Sequence, residues 1–351
     1  MTKTQLSAQS LSQLAAVTEG TARLGPLVHV PALLEEFGVV PGTFLSEEGI
    51  DPKFLTNPEN TIGFTPLGRL LTRCATATGC AHFGLLLGKR AGMEALGLLG
   101  LLASHAPNLG TALRDLILHM HLNDRGAVPL LFVEGECAFL GYSVYHPQVE
   151  STRHIYDGVM AVVRNVMRTL CGPDWRPSEV IFSHSRPPDL KPFRDHFQAP
   201  LRFDAPRTGL LFPASCLEQY LPGSNPRLRL LLEERVAALE AEGAGDLVAQ
   251  VRRVLHNLVL DGHGTLGQVA QVFEVHRRTL NRRLRERGLT FKRLLDEARY
   301  EIACQLLADT DLSMMELAAV LGYADDTAFT RAFRRWSGIP PTAWRAALRR
   351  A

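Results

Sequence analysis

Six of the twelve residues from His276 to Arg287 are arginine, and Leu280, Asn281 and Leu284 interrupt them. An arginine guanidinium can bind a phosphate or form two hydrogen bonds with guanine, and an asparagine amide can read adenine in the same way. Leu280 and Leu284 are four residues apart, so on a helix they share one face and leave the polar residues on the other. This pattern predicts contact with the phosphates and base edges of a nucleic acid.

The segment that contains the arginine cluster belongs to an internal repeat. One copy runs from Thr265 to Gly288 and the other from Ser313 to Gly338. Each copy opens on a hydroxyl residue, followed three positions later by Gln268 or Glu316, which is a capping-box pattern, and each closes on a helix-stopping glycine. A short apolar helix, a turn and a second helix are expected in between. The repeat therefore predicts two tandem helix-turn-helix motifs, whose second helices enter the major groove of DNA.

The second helix of each predicted motif, called here the reading helix, has an apolar side and a polar stripe. On the first, the stripe is formed by Arg277, Arg278, Asn281, Arg282 and Arg285. On the second, Asp325 is expected to cap the helix and Phe329, Phe333 and Trp336 to be buried. Its outward residues are Asp326, Thr327, Thr330, Arg331, Arg334 and Arg335. Asp326 is unfavourable beside phosphates, so it either contacts a base amine or acts as a second capping acid.

The net charge supports the placement of a nucleic-acid site in the C-terminal third. From Asp246 onward 17 Lys and Arg face 12 Asp and Glu, whereas the preceding residues carry 21 against 24. A local excess of positive charge attracts phosphate. The alternative is an ordinary solvated helix face.

Few features of the sequence support disulfide bonds, membrane association, catalysis or metal binding. The six cysteines lack CxxC spacing and indicate reduced, mostly buried thiols of a cytoplasmic protein. The longest apolar run covers nine residues, 95–103, whereas a span needs roughly 20, so no membrane association is expected. The motif at 84–90 resembles a phosphate-binding loop but lacks the hydroxyl residue that binds magnesium. The glycine-rich motif at 262–267 resembles a dinucleotide-binding loop but lacks the strand that should precede it. Both motifs are interpreted as structural. No catalytic residue, metal site or cofactor is expected.

The periodicities predict an α+β domain followed by an all-α domain, with strands of the first at Leu130–Glu134, Ala138–Tyr145 and Glu179–His184. Residues 1–20 are expected to be a loose tail, 21–242 a sensing and dimerisation domain, 243–248 a linker and 249–351 the double helix-turn-helix domain. Polar and aromatic residues around the predicted strands suggest an effector site formed by His119, Arg125, Tyr142, Tyr145 and His146. An amphipathic pattern near the linker suggests a dimer seam formed by Leu228, Leu231, Leu232, Val236 and Leu239. A pure dimerisation module is the alternative.

The runs HRRTLNRRLRERG and AVLGYADDTAFTRAFRRWSGIPPTAWR, with the helix between them, closely resemble the AraC/XylS family of transcriptional regulators. The resemblance implies base contacts by Arg278, Asn281, Arg282, Asp326, Thr327, Thr330 and Arg331. Phosphate contacts are assigned to Arg277, Arg285, Arg334 and Arg335. His276 departs from the family, which usually has a helix-capping serine there. The first reading helix is therefore expected either to start less firmly or to use the imidazole as its cap.

The N-terminal part contains the segments RLLTRCATATGCAHFGLLLGKR and LGLLGLLASHAPNLGTALRDL, which resemble the arabinose-binding-type regulatory domain of regulators similar to the ornithine-responsive ones. This implies a domain that senses a small-molecule effector and dimerises. We therefore expect a transcriptional activator that binds a double-stranded DNA operator as a homodimer and acts on RNA polymerase. The alternatives are an enzyme with an accessory helix-turn-helix and a nucleoid-type binder without sequence choice. Asn281 and Asp326 argue against the latter.

Overall fold

The computed structural model describes residues 20–144, 149, 151–243, 247–260, 264–273 and 275–348. They form two compact units, Gly20–Gly243 and the described residues from Leu247 onward. The first mixes helices with a sheet and the second is helical, so the predicted fold class is confirmed. The predicted tail lies, apart from Gly20, outside the described residues. So do residues 244–246 of the predicted linker.

The first unit contains two sheets. Its strands are β1 (Thr21–Arg23), β2 (Thr61–Gly63), β3 (Ala127–Glu134), β4 (Cys137–Val144), β5 (Glu179–Ile181), β6 (Leu201–Arg202) and β7 (Thr208–Pro213). β1 pairs with β2, and the other five form a sheet in the order β3-β4-β7-β5-β6, in which β5 and β6 are parallel. The predicted strands near Leu130 and Ala138 correspond to β3 and β4, whereas β7, which pairs with β4, was not predicted.

The helices of the first unit pack against this sheet and against one another. They are α1 (Val30–Glu36), α2 (Pro41–Glu47), α3 (Phe64–Thr78), α4 (Phe83–Lys89), α5 (Leu98–Ser104), α6 (Leu109–His119), α7 (Arg153–Cys171), α8 (Lys191–Phe197) and α9 (Pro226–Gly243). A Cβ at Gly84 or Gly88 of α4 would lie 2.1 Å from a carbonyl oxygen of α7. The glycines of the phosphate-loop-like motif at 84–90 therefore allow α4 and α7 to pack closely.

Helix α9 lies on α5 and is tied to α6. Arg229 donates to Asp115 of α6 at 2.7 Å. Val236 is only 1% exposed and belongs to the core of the unit, with Leu232 packed against the same cluster. This corrects the predicted dimer seam, because Val236 and Leu232 are already used within the domain. Leu228 and Leu231 lie on the exposed side of the helix.

The second unit is built around a long connector helix. Its helices are α10 (Leu247–Leu260), α11 (Leu266–Val272), α12 (Arg277–Arg285), α13 (Phe291–Asp309), α14 (Met314–Val320), α15 (Asp326–Ser337) and α16 (Pro341–Leu348). The connector α13 joins the two helix-turn-helix pairs and holds α10 through Arg252–Glu297 at 2.6 Å and His256–Glu301 at 2.9 Å. The glycine-rich motif at 262–267 comes after helix α10 and not after a strand, so it does not belong to a dinucleotide-binding unit.

Among the described residues, no single helix is both long and apolar enough to cross a membrane. Helices α3 and α4 are long and apolar enough only when they are taken together, and they are bent by 105° relative to each other.

Candidate nucleic-acid interface and buried cavity

The first helix-turn-helix begins with the predicted capping box. Thr265 Oγ1 accepts the Gln268 backbone N–H at 3.3 Å, while Gln268 Oε1 accepts the Thr265 backbone N–H at 3.0 Å. His276 caps helix α12, because its Nδ1 accepts the backbone N–H of Arg278 at 3.2 Å. The imidazole thus takes the capping role that serine usually has, and it must be unprotonated at Nδ1 to do so.

The first reading helix, α12, is amphipathic in the way that its spacing predicts. Leu280 and Leu284 are fully buried, together with Val269 and Ala270 of α11. Arg277, Arg278, Arg282 and Arg285 are exposed, and Asn281 is half-buried. These five polar residues adjoin one another around one side of the helix and none of them is fully buried, so the geometry leaves them open to a nucleic acid.

The second reading helix, α15, is anchored by aromatic rings. Phe329 and Phe333 are fully buried, and Phe333 lies 5.6 Å from Tyr300 of the connector, centroid to centroid. Asp325 caps the helix by accepting the Ala328 backbone N–H at 2.6 Å, as predicted. Gly338 ends it at φ +82°, a conformation that glycine adopts without strain.

The residues predicted to contact DNA from α15 lie away from these rings. Asp326, Thr327, Arg331, Arg334 and Arg335 are exposed, and Thr330 is half-buried. The cap hydrogen bond is made by Asp325, so Asp326 is not needed for it, although its position in the first turn still favours the helix dipole. Both interpretations of Asp326 therefore stay open.

Two of these arginines have acidic neighbours within the unit. Arg282 contacts Glu286, one turn along α12, at 2.7 Å, and Arg335 lies 3.6 Å from Asp296 and over the ring of Trp336. Both side chains are more than half exposed. Exposed ion pairs contribute about 0–1 kcal/mol, so a phosphate or base can displace these partners.

Comparison with known proteins decides the family. A family model described as the arabinose-binding domain of the AraC transcription regulator matches residues 38–221, and a helix-turn-helix domain model matches residues 269–347. The chain belongs to the AraC family of transcription regulators. It is accordingly a DNA-binding regulator with an N-terminal domain of the effector-binding type, and not an enzyme.

Relatives of this AraC-family regulator match most of its length. It is 28% identical to the ornithine utilization regulator of Pseudomonas aeruginosa, over 93% of this chain and 98% of that protein. It is 24% identical to the HTH-type transcriptional regulator VirS of Mycobacterium tuberculosis, over 90% and 93% of the two chains. The crystal structure of the transcriptional regulator CdpR from Pseudomonas aeruginosa covers 90% of this chain and 97% of its own, at 22% identity and a TM-score of 0.42.

The regulator also contains a cavity of about 170 Å³ within the first unit. The cavity is lined by one face of α6 and the turn after it. Further lining residues come from α7, β4 and the segment around β1. The apolar lining includes Leu113, Leu116, Ile117, Met120, Ile155, Val159, Val162, Val163 and Val166. Its ionisable and amide side chains are Arg23, Asn123, Asp124, Tyr142 and His154.

Of the three predicted effector residues that the structure describes, Tyr142 lines this cavity. Its hydroxyl donates to Asp124 at 2.6 Å. Arg125 is exposed and does not line the cavity, and Tyr145 and His146 lie outside the described residues. The prediction missed Asp124 and His154. Neither has a distinctive sequence pattern, although Asp124 is next to Arg125.

His119 contacts the linker-proximal helix and not the cavity. Its Nδ1 lies 2.8 Å from Glu240 Oε1 of α9, and His121 Nε2 lies 3.2 Å from the same oxygen. The two rings converge on Glu240 because α6 ends at His119 and a 3-10 turn follows.

The cavity environment changes the protonation of its polar groups. Burial raises the pKa of Asp124 to about 6, although the Tyr142 hydrogen bond and the Arg23 charge act in the opposite direction. Burial lowers the pKa of His154, which therefore carries no charge at neutral pH. The cavity thus holds a carboxyl group whose pKa is raised to about 6 and a neutral imidazole.

Proposed function

We propose that this chain is a sequence-specific transcriptional activator that binds its operator as a homodimer in the cytoplasm and responds to a small molecule. The observation that carries sequence-specific binding is the pair of reading helices in one unit. Each is anchored by buried apolar side chains and leaves an open stripe that combines arginines with Asn281 or Asp326. Such a stripe can discriminate bases as well as hold phosphates. RNA polymerase is the proposed partner of the bound activator.

The effector signal is proposed to pass through α6. Leu113, Leu116 and Ile117 on one side of this helix line the cavity. Asp115 and His119 on another side hold Arg229 and Glu240 of α9. Because α9 is the last element before the linker, a ligand that favours one position of α6 also favours one position of α9. The ligand shifts this equilibrium only as far as its affinity for the two arrangements differs.

Arg282→Ala is expected to weaken operator binding by about 1–3 kcal/mol, roughly 5- to 150-fold, with the loss concentrated at one base position. Arg283→Ala is the matched control, because Arg283 is exposed on the same helix but lies outside the reading stripe. Glu286→Gln removes the ion-pair partner of Arg282 and should leave affinity equal or slightly higher. The measurement is fluorescence anisotropy on a site obtained by selection from genomic DNA with the purified protein.

Random DNA separates base reading from phosphate binding. Arg335→Ala should weaken all sequences alike and flatten the salt dependence. If Arg282→Ala lost the same affinity on the selected site and on random DNA, the base-reading role of Arg282 would be wrong. Recovery of unselective DNA in both the absence and presence of effector would contradict sequence-specific binding altogether.

The dimer is proposed to form through the exposed side of α9. Leu228, Leu230 and Leu231 are 37%, 56% and 61% exposed, which is unusual for three leucines on one short stretch of helix. A second copy of the chain is the proposed occupant, because a two-fold interface uses the same patch twice and would place two pairs of reading helices on one operator.

Leu231→Glu is expected to convert the dimer to a monomer without loss of folding stability, as measured by analytical ultracentrifugation and thermal unfolding. Leu118→Glu, an exposed leucine on α6, is the matched control. A charge at Val236 is not a valid test, because Val236 belongs to the core and its substitution would unfold the unit. A Leu231→Glu protein that stayed dimeric would contradict this seam.

A further inference from the structure

The cavity in the first unit has the composition of an apolar ligand site. Its walls are mainly leucine, isoleucine, valine and methionine side chains. An engineered cavity of about 150 Å³ with leucine, isoleucine and phenylalanine walls stays dry and binds benzene. The present cavity, at about 170 Å³, is of the same order. Its size fits one small ring or a short branched chain.

Arg23 is hydrogen-bonded to Glu59 and the Ala95 carbonyl, and the Asn123 amide donates to the Leu96 carbonyl. Two further polar features lie in these apolar walls. Asp124 accepts the Tyr142 hydroxyl at 2.6 Å, and a carboxylate can accept about four hydrogen bonds, so the pair has acceptor capacity beyond that contact. His154 is buried and lines the cavity, and its Nδ1 has no hydrogen-bond partner among the described residues. Buried polar atoms without partners are rare in folded proteins, and an occupant of the cavity is one explanation.

We propose that this cavity binds a compact, mainly apolar molecule, a small aromatic ring or short branched hydrocarbon with a single hydrogen-bond donor directed at Asp124. The proposal rests on the proposed function only in that the ligand serves as the effector. The lining would bury the hydrocarbon, and the Asp124–Tyr142 pair would orient the donor.

The same walls disfavour a sugar or a free amino acid. A pentose carries hydroxyls around its whole ring, and most of them would face leucine and valine side chains without a hydrogen-bond partner. An amino acid carries a carboxylate and an ammonium group, and Arg23, the cationic side chain in the described lining, is already hydrogen-bonded to Glu59 and the Ala95 carbonyl. Burial of an uncompensated charge opposes binding more strongly than an apolar contact favours it.

The test is thermal unfolding and calorimetry of the full chain with four probes, namely phenol, toluene, L-arabinose and L-ornithine. Phenol at a hundredfold excess over its Kd is expected to raise the Tm of the first unit by roughly 5–10 °C. Toluene has the same ring without the donor and should bind more weakly at pH 7.5. Arabinose and ornithine should leave Tm unchanged.

Variants place the binding in the cavity. Val159→Phe and Ile117→Phe fill the space and should each abolish the phenol shift, whereas Leu118→Phe on the exposed side of α6 should retain it. Two filling variants are used because either one alone could disturb folding, which circular dichroism would reveal. Asp124→Leu, which removes the hydrogen-bond acceptor, should remove most of the preference for phenol over toluene.

A Tm shift with arabinose or ornithine that the filling variants abolish would overturn the proposed ligand class. The absence of a shift with both phenol and toluene would also overturn it, as would a phenol shift that both filling variants retain. DNA binding is measured in parallel on the same samples. Selective operator binding with failed probes would show that the ligand proposal is wrong while the regulator function stands.

Discussion

Phe333→Ala is expected to lower the free energy of unfolding of the second unit by about 3–5 kcal/mol, because it removes a fully buried ring and leaves a cavity. The ring of Phe333 lies 5.8 Å from Phe329, 5.6 Å from Tyr300 and 6.1 Å from Trp344, centroid to centroid. It therefore joins α15 to both the connector and the last helix. Phe333→Ala should therefore loosen the attachment of the second reading helix to both of these neighbours.

Urea unfolding followed by tryptophan fluorescence measures this loss, because Trp344 lies against the affected ring and Trp336 contacts Tyr300, a neighbour of that ring. Phe333→Leu should cost less, since it retains part of the apolar volume. Arg331→Ala, on the exposed side of the same helix, should change stability by no more than about 0.5 kcal/mol. A loss below about 1 kcal/mol for Phe333→Ala would show that the aromatic cluster does not hold α15.

Asp157→Ala is the second substitution expected to have a large effect, at about 3 kcal/mol in the stability of the first unit. Asp157 is fully buried in α7, and its Oδ1 lies 2.9 Å from Nε2 of the buried His184. The substitution leaves that imidazole without its carboxylate. Because His184 can lose its proton, the cost falls at the lower end of the range for a broken buried pair. Asp157→Asn, whose amide oxygen can still accept from Nε2, should cost less.

The pH dependence of this pair has a definite sign. Burial lowers the pKa of His184, but the charge and hydrogen bond of Asp157 and the Ser185 carbonyl outweigh it, so the pKa is raised above 6.5. The stabilisation is therefore fully present below about pH 6.5 and is lost as pH rises through the folded pKa. The difference in unfolding free energy between wild type and Asp157→Ala should shrink between pH 6.5 and pH 9. A constant or growing difference would contradict a charged pair.

Most of the DNA-binding unit could be predicted from sequence because its signals are local. The capping boxes at Thr265 and Ser313 and the cap at Asp325 are decided by residues three positions apart. The burial of Leu280 and Leu284 follows from their spacing on one helix. The cap at His276 was an open alternative, since an imidazole caps a helix only when Nδ1 is directed at the backbone N–H groups of the first turn.

The first unit was predicted less well, since its decisive contacts join distant segments. The leucine pattern of α9 indicated an amphipathic helix but not which side the domain would cover, so Val236 was assigned to a dimer seam. The predicted effector cluster relied on proximity along the chain. The cavity instead combines side chains from α6, α7 and β4, and their convergence has no counterpart in any short sequence window.

The sequence by itself determined the two reading helices, their polar stripes and the family, because caps, apolar spacing and glycine stops act within a few residues. Only the tertiary structure decided that the Tyr142 hydroxyl donates to Asp124 and that Phe333 packs among rings from three helices. It also decided that His119 contacts Glu240, 121 residues away. The physical reason is that burial and ion pairing depend on which surfaces the folded chain brings together, and periodicity identifies a surface without identifying its partner.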